Sequence, residues 1–390
     1  MSTSVNQIAT SSPRRHRFLG IGNLGVLPFA FALPFIHYPK LIDGDTQIWI
    51  FLAGLIAALI YKTNRFILNK DIPIFVLAGL CLLAYATRAP LDSELLRIAY
   101  MHLAFVVFWV ITRREEGDVF PVAVRITIIC WLIVGLYQSL SLNMGLAVEI
   151  PGRFVEGRGG VPGLTAEPSA YGTMSVLHIM YLLNEPESKY KKWFITAALI
   201  SVMLSGSILS FALLVFPLMR LPLLKQIALL GVGVMLITMD SMYKFVGVSN
   251  RLESFLQDSW GSSFSLLDAS LNLRLGHIHF TLLDQLIPSL SLLTSVSFME
   301  QYNAFTVMHS GYIYTESNFI LPALGEMVYC SGPFGLALLV FVLIAAANTS
   351  SRRPIEKVVF LLACLLNPIP LSNPFLIMYT LQRDSKDNAR

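Results

Sequence analysis

The segments VFPVAVRITIICWLIVGLYQSL, residues 119–140, and PGRFVEGRGGVPGLTAEPSAYG, residues 151–172, decide the fold of this chain. The first is apolar over about 20 residues, the length that a helix needs to cross roughly 30 Å of hydrocarbon. The second contains two arginines, two glutamates, six glycines and three prolines, and a further apolar run follows it. A polar segment between two runs of spanning length lies at a membrane surface. We therefore expect an all-α membrane protein.

The composition of the whole chain agrees with a polytopic membrane protein. Hydrophobic residues make up 55% of the 390 residues and charged residues 13%, against about 25% charged in soluble domains. The mean hydropathy is +0.65. The net charge of +4 is small, so it gives no reason to expect nucleic-acid binding. The four cysteines lie in apolar segments without a CxxC pair, and we expect them to be small buried hydrophobic residues with no disulfide framework.

The apolar runs predict about twelve transmembrane helices in one integral-membrane domain, residues 18–381. A disordered cytoplasmic N-terminus, 1–17, precedes this domain and a cytoplasmic tail, 382–390, follows it. The 192–219 stretch fits either one long helix or two short ones. The predicted spans lie near 18–36, 47–61, 72–87, 96–112, 119–140, 168–184, 192–204, 206–219, 222–239, 332–347, 355–366 and 371–381.

The distribution of lysine and arginine orients the predicted spans. Alternate loops carry nineteen of these cations and the remaining loops carry eight, while Arg125 lies within a span near its cytoplasmic end. Cytoplasmic loops are enriched in Lys and Arg, so both termini are expected in the cytoplasm. The two largest non-spanning segments, 144–167 and 240–331, then face outward together. ATP and nucleotide-sugars are absent from that side, so a substrate there must already be energised.

The 151–172 segment has the residues of a phosphate site. The guanidinium forks of Arg153 and Arg158 match phosphate oxygens, and glycine allows the backbone to approach a ligand closely. Glu167 and Pro168 form a typical helix start. Helix capping alone would explain Glu167, but it does not explain the preceding arginines, which favour a functional carboxylate.

The second external segment contributes further candidates. Arg274 has apolar neighbours, so it needs either a phosphate or a salt bridge to Asp268 or Asp284. His309 and Glu316 precede the short apolar stretch at 319–331, which is expected to lie against the outer leaflet or dip into it.

Histidines occur in two patterns that have structural as well as functional explanations. His178 falls inside a predicted span, where it is either functional or an interhelical hydrogen-bonding residue. His277 and His279 are two residues apart and have no accompanying ligand motif, so no metal site is predicted.

The quoted motifs resemble a known family. RGGVPGLTAEPSAYG, residues 158–172, resembles the R-x-x-G-x-x-x-E-P-S element of bacterial O-antigen polymerases of the Wzy type. ESNFILPALGEMVYCSGPFG, residues 316–335, is similar to their late H-N-x-x-L…E-x-G-x-x-G segment, and Arg274-Leu275 resembles an Arg-Leu pair in their large external loop. Two features differ: Gly160 stands where the family's arginine is usual, and the His-Asn dipeptide is split between His309 and Asn318.

This resemblance implies a GT-C-like glycosyltransferase of the bacterial inner membrane. Its donor would be a growing glycan on undecaprenyl pyrophosphate, transferred to the non-reducing end of an undecaprenyl-pyrophosphate-linked repeat unit. It implies no cofactor and no metal, because arginines neutralise the leaving pyrophosphate. The implied partners are these lipid-linked oligosaccharides, membrane lipid, a chain-length regulator and a flippase, with no nucleic acid. The implied pyrophosphate-binding residues are Arg153, Arg158 and Arg274, and the candidate bases, in order of preference, are Glu167, His309 and Glu316.

Two alternatives remain open at this point. An O-antigen ligase shares the scaffold but transfers the glycan to lipid A core, and the E-P-S element favours the polymerase over it. A lipid-linked oligosaccharide flippase would perform no chemistry. That transporter should line a central cavity with charges, whereas here the charges gather in the outer loops.

Overall fold

The computed structural model describes residues 48–60, 72–87, 93–114, 119–144, 160–165, 167–185, 188–219, 277–280, 323–347 and 354–366. Over these residues every regular element is helical and no strand occurs, which confirms the all-α class for this part of the chain. Besides one helical turn at 277–280, the helices are α1 Trp49–Ile60, α2 Ile72–Ala86, α3 Ser93–Arg114, α4 Val119–Asn143, α5 Pro168–Asn184, α6 Lys191–Ser205, α7 Ile208–Leu218, α8 Ala323–Ala347 and α9 Pro354–Leu366.

Most predicted spans that fall on described residues coincide with a helix. The predicted helix at 168–184 matches α5 at both ends, and α3 extends beyond the predicted 96–112 on both sides. The predicted spans near 18–36, 222–239 and 371–381 lie outside the described residues, as do both predicted termini. Most of the 144–167 and 240–331 loops also lies outside them.

One described helix has the length and apolarity needed to cross a membrane. It is α4, where Phe120–Leu142 forms 23 residues that contain an 18-residue window of mean hydropathy 2.0. The other apolar helical segments of the described part are shorter: Trp49–Leu59, Ile72–Ala86, Met101–Thr112, Leu209–Leu218 and Ser331–Ala347.

The 192–219 stretch forms two helices separated by a short break. Gly206 ends α6 in the left-handed conformation, with a φ of 56°, which glycine adopts without steric cost. Ser207 then begins α7, and its hydroxyl accepts a hydrogen bond from the backbone N–H of Ser210. Of the two predicted alternatives, two short helices is therefore the correct one.

Helix α8 begins at Ala323, well before the predicted span at 332–347. Gly332 interrupts it with a φ of 54° and a ψ of −133°, and Pro333 follows. A Cβ at Gly335 would lie 2.0 Å from the Met327 carbonyl oxygen, so the halves are closely packed at the kink. The latter part of the 319–331 stretch is thus helical and continuous with the following helix.

Helix α5 forms the centre of the described bundle. Every side chain from Ala170 to Leu182 is buried. It packs against α4, α6, α7 and α9, while α2 packs against α3 and α8. A helix that is buried on all sides occupies the core of a helical protein, and this position encloses the polar side chains of α5 between its neighbours.

The outward face of α4 is apolar and exposed. Val122, Ile129, Ile133 and Leu140 recur there at helical spacing. The thiol of Cys130 is exposed beside them, so the expectation of four buried cysteines is wrong at this position. Burial of Cys81 and Cys364 agrees with that expectation, and these three cysteines are free thiols.

Candidate functional site

The described residues include one of the six predicted site residues, Glu167. The others, Arg153, Arg158, Arg274, His309 and Glu316, lie outside the described part of the chain. The geometry of the site is therefore built from Gly160–Thr165, which we call the glycine loop, from Glu167, and from the helices that hold them.

The glycine loop begins against the C-terminal end of α6. The backbone N–H of Val161 donates to the Leu204 carbonyl oxygen over 2.9 Å. Gly160 has a φ of 84°, and a Cβ there would lie 2.2 Å from the Ser205 carbonyl oxygen. Glycine is required at residue 160 for both reasons.

A buried amide of α4 holds the middle of the loop. Gln138 Nε2 donates to the Gly163 carbonyl oxygen, and the Gly163 N–H donates to Gln138 Oε1, both over 2.8 Å. Both residues are buried. One side chain thus satisfies both polar backbone groups of Gly163, as a neighbouring strand would in a sheet.

An aromatic contact joins α4 and α5 directly beneath the loop. The Tyr171 hydroxyl donates to the Trp131 carbonyl oxygen over 3.0 Å, and the two rings meet edge to face with centroids 5.3 Å apart. A Cβ at Gly135 would lie 2.5 Å from this hydroxyl. The two helices are therefore locked together at the level of Gly163, whose own φ is 59°.

Glu167 is the N-cap residue of α5, and Pro168 occupies its first turn, which confirms the predicted helix start. The Glu167 carboxylate forms no capping hydrogen bond to the backbone. It accepts a hydrogen bond from Ser169 Oγ over 3.3 Å. Thr165 Oγ1 lies 2.7 Å from the carbonyl oxygens of both Pro162 and Glu167, and its single proton is shared between these two acceptors. Helix capping is thus not what the half-buried carboxylate does in this conformation.

Hydroxyl groups cluster beside this helix start. A Cβ at Gly172 would lie 2.3 Å from the hydroxyl oxygens of both Ser205 and Ser210, so α5 touches the break between α6 and α7 there. Ser210 Oγ donates to the Ser169 carbonyl oxygen and approaches Thr173 Oγ1, both at 3.5 Å. Small residues at this crossing allow the close approach.

His178 lies about three turns further along α5 than Glu167. It is buried, as predicted, and its ring meets the Trp131 ring edge to face with centroids 5.6 Å apart. His178 is therefore packed between α5 and α4 on the same tryptophan that supports Tyr171.

The opposite end of α5 carries a second polar cluster. Arg125 Nη2 donates to Glu185 Oε2 over 2.8 Å, and the Arg125 guanidinium lies 5.7 Å from the Phe194 ring centroid. Lys191 Nζ donates to the Glu185 carbonyl oxygen over 2.7 Å. This cluster is about 25 Å from Glu167 along the helix axis, so it does not belong to the glycine-loop site.

Two further observations bear on ligands. Within the described ranges, no three His, Cys, Asp or Glu side chains form a group that could hold a metal ion. In the 277–280 turn His277 is fully buried, and desolvation lowers the pKa of His277 to about 4. It is therefore neutral at physiological pH.

Comparisons with known proteins identify no relative. No protein-family model, no curated protein and no solved structure matches this chain. Sequence reasoning singled out Glu167 and His178 but missed Gln138, Trp131 and Tyr171. A glutamine within an apolar run was the available signal for Gln138, because a buried amide must find hydrogen-bond partners.

Proposed function

We propose that the chain is a multi-pass membrane protein of about twelve helices with GT-C-like architecture and both termini in the cytoplasm. The length of α4 supports this, as do large apolar side chains that are exposed on most of the described helices. In water such a surface would be costly, whereas in lipid it is the favoured one. Examples are Leu59 of α1, Leu83 of α2, Ile133 of α4, Val215 of α7 and Ile344 of α8.

We further propose that the protein is a polysaccharide polymerase acting at the external face. It transfers a growing glycan from undecaprenyl pyrophosphate to the non-reducing end of an undecaprenyl-pyrophosphate-linked repeat unit. The observation that carries this proposal is the Glu167 carboxylate. It stands at the end of a loop that Gln138 and the α6 terminus hold in place, and it is not used as a backbone cap.

In this mechanism Glu167 accepts the proton of the acceptor hydroxyl as that oxygen bonds to the anomeric carbon of the donor. The bond from the anomeric carbon to the pyrophosphate oxygen breaks, and the leaving group carries away the electron pair. Arg153 and Arg158, shortly before the glycine loop, and Arg274 of the second external segment are proposed to neutralise it. His309 and Glu316 are the reserve candidates for the base.

The experiment is the Glu167→Gln variant, assayed for glycan length on the lipid carrier in membranes with matched protein levels. A catalytic carboxylate predicts a loss of roughly a hundredfold or more. A residue important only for the helix terminus predicts a cost of at most about 1 kcal/mol and nearly normal polymer. Glu156→Gln, which removes the same charge from the same polar segment, is the matched control and should retain activity. Near-normal polymer from Glu167→Gln would move the base to His309 or Glu316.

The same assay separates the alternative functions. A polymerase-deficient strain should accumulate single repeat units on the lipid carrier or on core. Loss of an O-antigen ligase would instead leave full-length glycan on the carrier, and loss of a flippase would leave repeat units on the cytoplasmic side. The E-P-S segment at the start of α5 favours the polymerase over the ligase, and the gathering of charges in the outer loops favours it over the flippase.

A further inference from the structure

Helices α8 and α9 leave an apolar groove on the surface of the bundle, with a cavity of about 340 Å³. Its walls include Val340 and Ile344 of α8 and Val358 and Leu361 of α9, which are all exposed. The groove also has one charged lining residue, Lys357. It lies far from the glycine loop, and the proposed reaction does not use it.

Lys357 brings a positive charge to this groove. Its ammonium group donates to the carbonyl oxygen of Ala347 at the end of α8, and it makes no ion pair with a carboxylate of the described residues. The adjacent Glu356 carboxylate is buried and accepts a hydrogen bond from Asn184 Nδ2 over 2.7 Å. Among the described residues the ammonium group uses one of its three donors, which leaves two for a ligand.

The charged end of the groove lies at the level expected for lipid headgroups. The Asn184–Glu356 hydrogen bond places the start of α9 at the C-terminal end of α5, where α6 also begins. At the start of α6, the side chains of Tyr190 and Trp193 are 60% and 77% exposed. Exposed Tyr and Trp residues are typical of the membrane–water interface.

We propose that the α8–α9 groove binds one anionic phospholipid, with an acyl chain against Val340, Ile344, Val358 and Leu361 and the phosphate at Lys357. The apolar walls suit a hydrocarbon chain, and the ammonium group at one end suits a phosphate. This inference rests on the membrane location in the proposed function but not on glycosyl transfer.

The experiment measures lipid retention by the purified full-length protein in detergent, without glycan substrate. Native mass spectrometry would compare bound phosphatidylglycerol with phosphatidylcholine. We expect wild type to prefer phosphatidylglycerol by about fivefold, the preference that one cation near an anionic headgroup confers, and Lys357→Gln to lose this preference. Lys192→Gln removes an equal charge from an exposed position on α6 and is the matched control, which should retain it.

A second variant tests the apolar part of the site without changing charge. Ile344→Trp should fill the groove and reduce retention of both lipids, and a thermal melt identifies any variant that fails to fold. An unchanged preference in Lys357→Gln, an equal loss in Lys192→Gln, or full retention in Ile344→Trp would each overturn the proposal. Polymer synthesis is assayed separately, so failure of lipid binding and failure of the polymerase proposal remain distinguishable.

Discussion

The Gln138→Ala variant should release the glycine loop while the helical bundle stays folded. Wild-type Gln138 makes two hydrogen bonds of 2.8 Å with the backbone of Gly163, in a buried environment. Truncation leaves the N–H and the carbonyl of Gly163 without these partners. A buried polar group without a partner costs about 1–3 kcal/mol, so two such groups cost about 2–6 kcal/mol if the loop keeps its position.

That cost is limited by the free energy of opening the loop locally, because an opened loop can hydrogen-bond with water. We therefore expect protease cleavage in the 144–167 segment to accelerate by at least tenfold at constant protease, a change equivalent to about 1.4 kcal/mol in the opening equilibrium. The melting temperature of the bundle should fall less. The carboxylate in Gln138→Glu can still accept from the Gly163 N–H but cannot donate to the Gly163 carbonyl oxygen. This variant should therefore also accelerate cleavage.

The control is Tyr137→Ala, which changes a neighbouring side chain on the exposed face of α4. It should leave the cleavage rate within about twofold of wild type, because substitutions of exposed side chains have small effects on stability. If Gln138→Ala is cleaved no faster than Tyr137→Ala, the Gln138–Gly163 hydrogen bonds do not hold the loop, and the reasoning fails.

Three further predictions concern the rest of the molecule. Arg125→Leu should lower the free energy of unfolding by about 2 kcal/mol, because it leaves the buried Glu185 carboxylate without its ion-pair partner. The cost stays below that of a fully buried pair, since Arg125 is 31% exposed. The single variant should therefore melt at a lower temperature than the Glu185→Gln, Arg125→Leu double variant, and an equal or higher melting temperature would contradict this. Burial lowers the pKa of His277 from 6.5 to about 4, so between these pH values the unfolded chain binds a proton that the folded protein does not. The free energy of unfolding is therefore unaffected above pH 6.5 and decreases as the pH falls toward 4, by about 2 kcal/mol at pH 5. His277→Gln should remove that part of the pH dependence of melting, and an unchanged slope would refute the assignment. Reporter fusions after Gly145 and Gly261 should be active only as external reporters, and cytoplasmic activity at either site would exclude a shared external face.

Local sequence chemistry predicted the helices well where their boundaries depend on neighbouring residues. Pro168 can begin a helix but not continue one from its preceding turn, so the start of α5 was readable from Glu167-Pro168-Ser169. Long apolar runs in the sequence predicted α1, α2, α4 and α9, because spanning length and apolarity are also properties of a single segment.

The kink in α8 was harder to predict, because a Gly-Pro pair can either end a helix or bend it. Here Gly332 adopts a positive φ, the helix continues after it, and Gly335 packs closely against Met327. The exposure of Cys130 has a similar origin. An apolar segment has no sequence mark that separates its outward face from its buried face when both faces are hydrophobic.

By itself, the sequence determined that the chain is helical and apolar and that a polar, glycine-rich segment ends at a carboxylate before α5. Only the tertiary structure decided what holds that segment. Gln138 and Gly163 are 25 residues apart, and Gly160 meets the end of α6 at Ser205. Such contacts depend on which helix faces pack together, and packing is settled by the summed fit of many side chains and backbone glycines. No local pattern encodes that sum, so the support for Glu167 became visible only when α4, α5 and α6 were brought together.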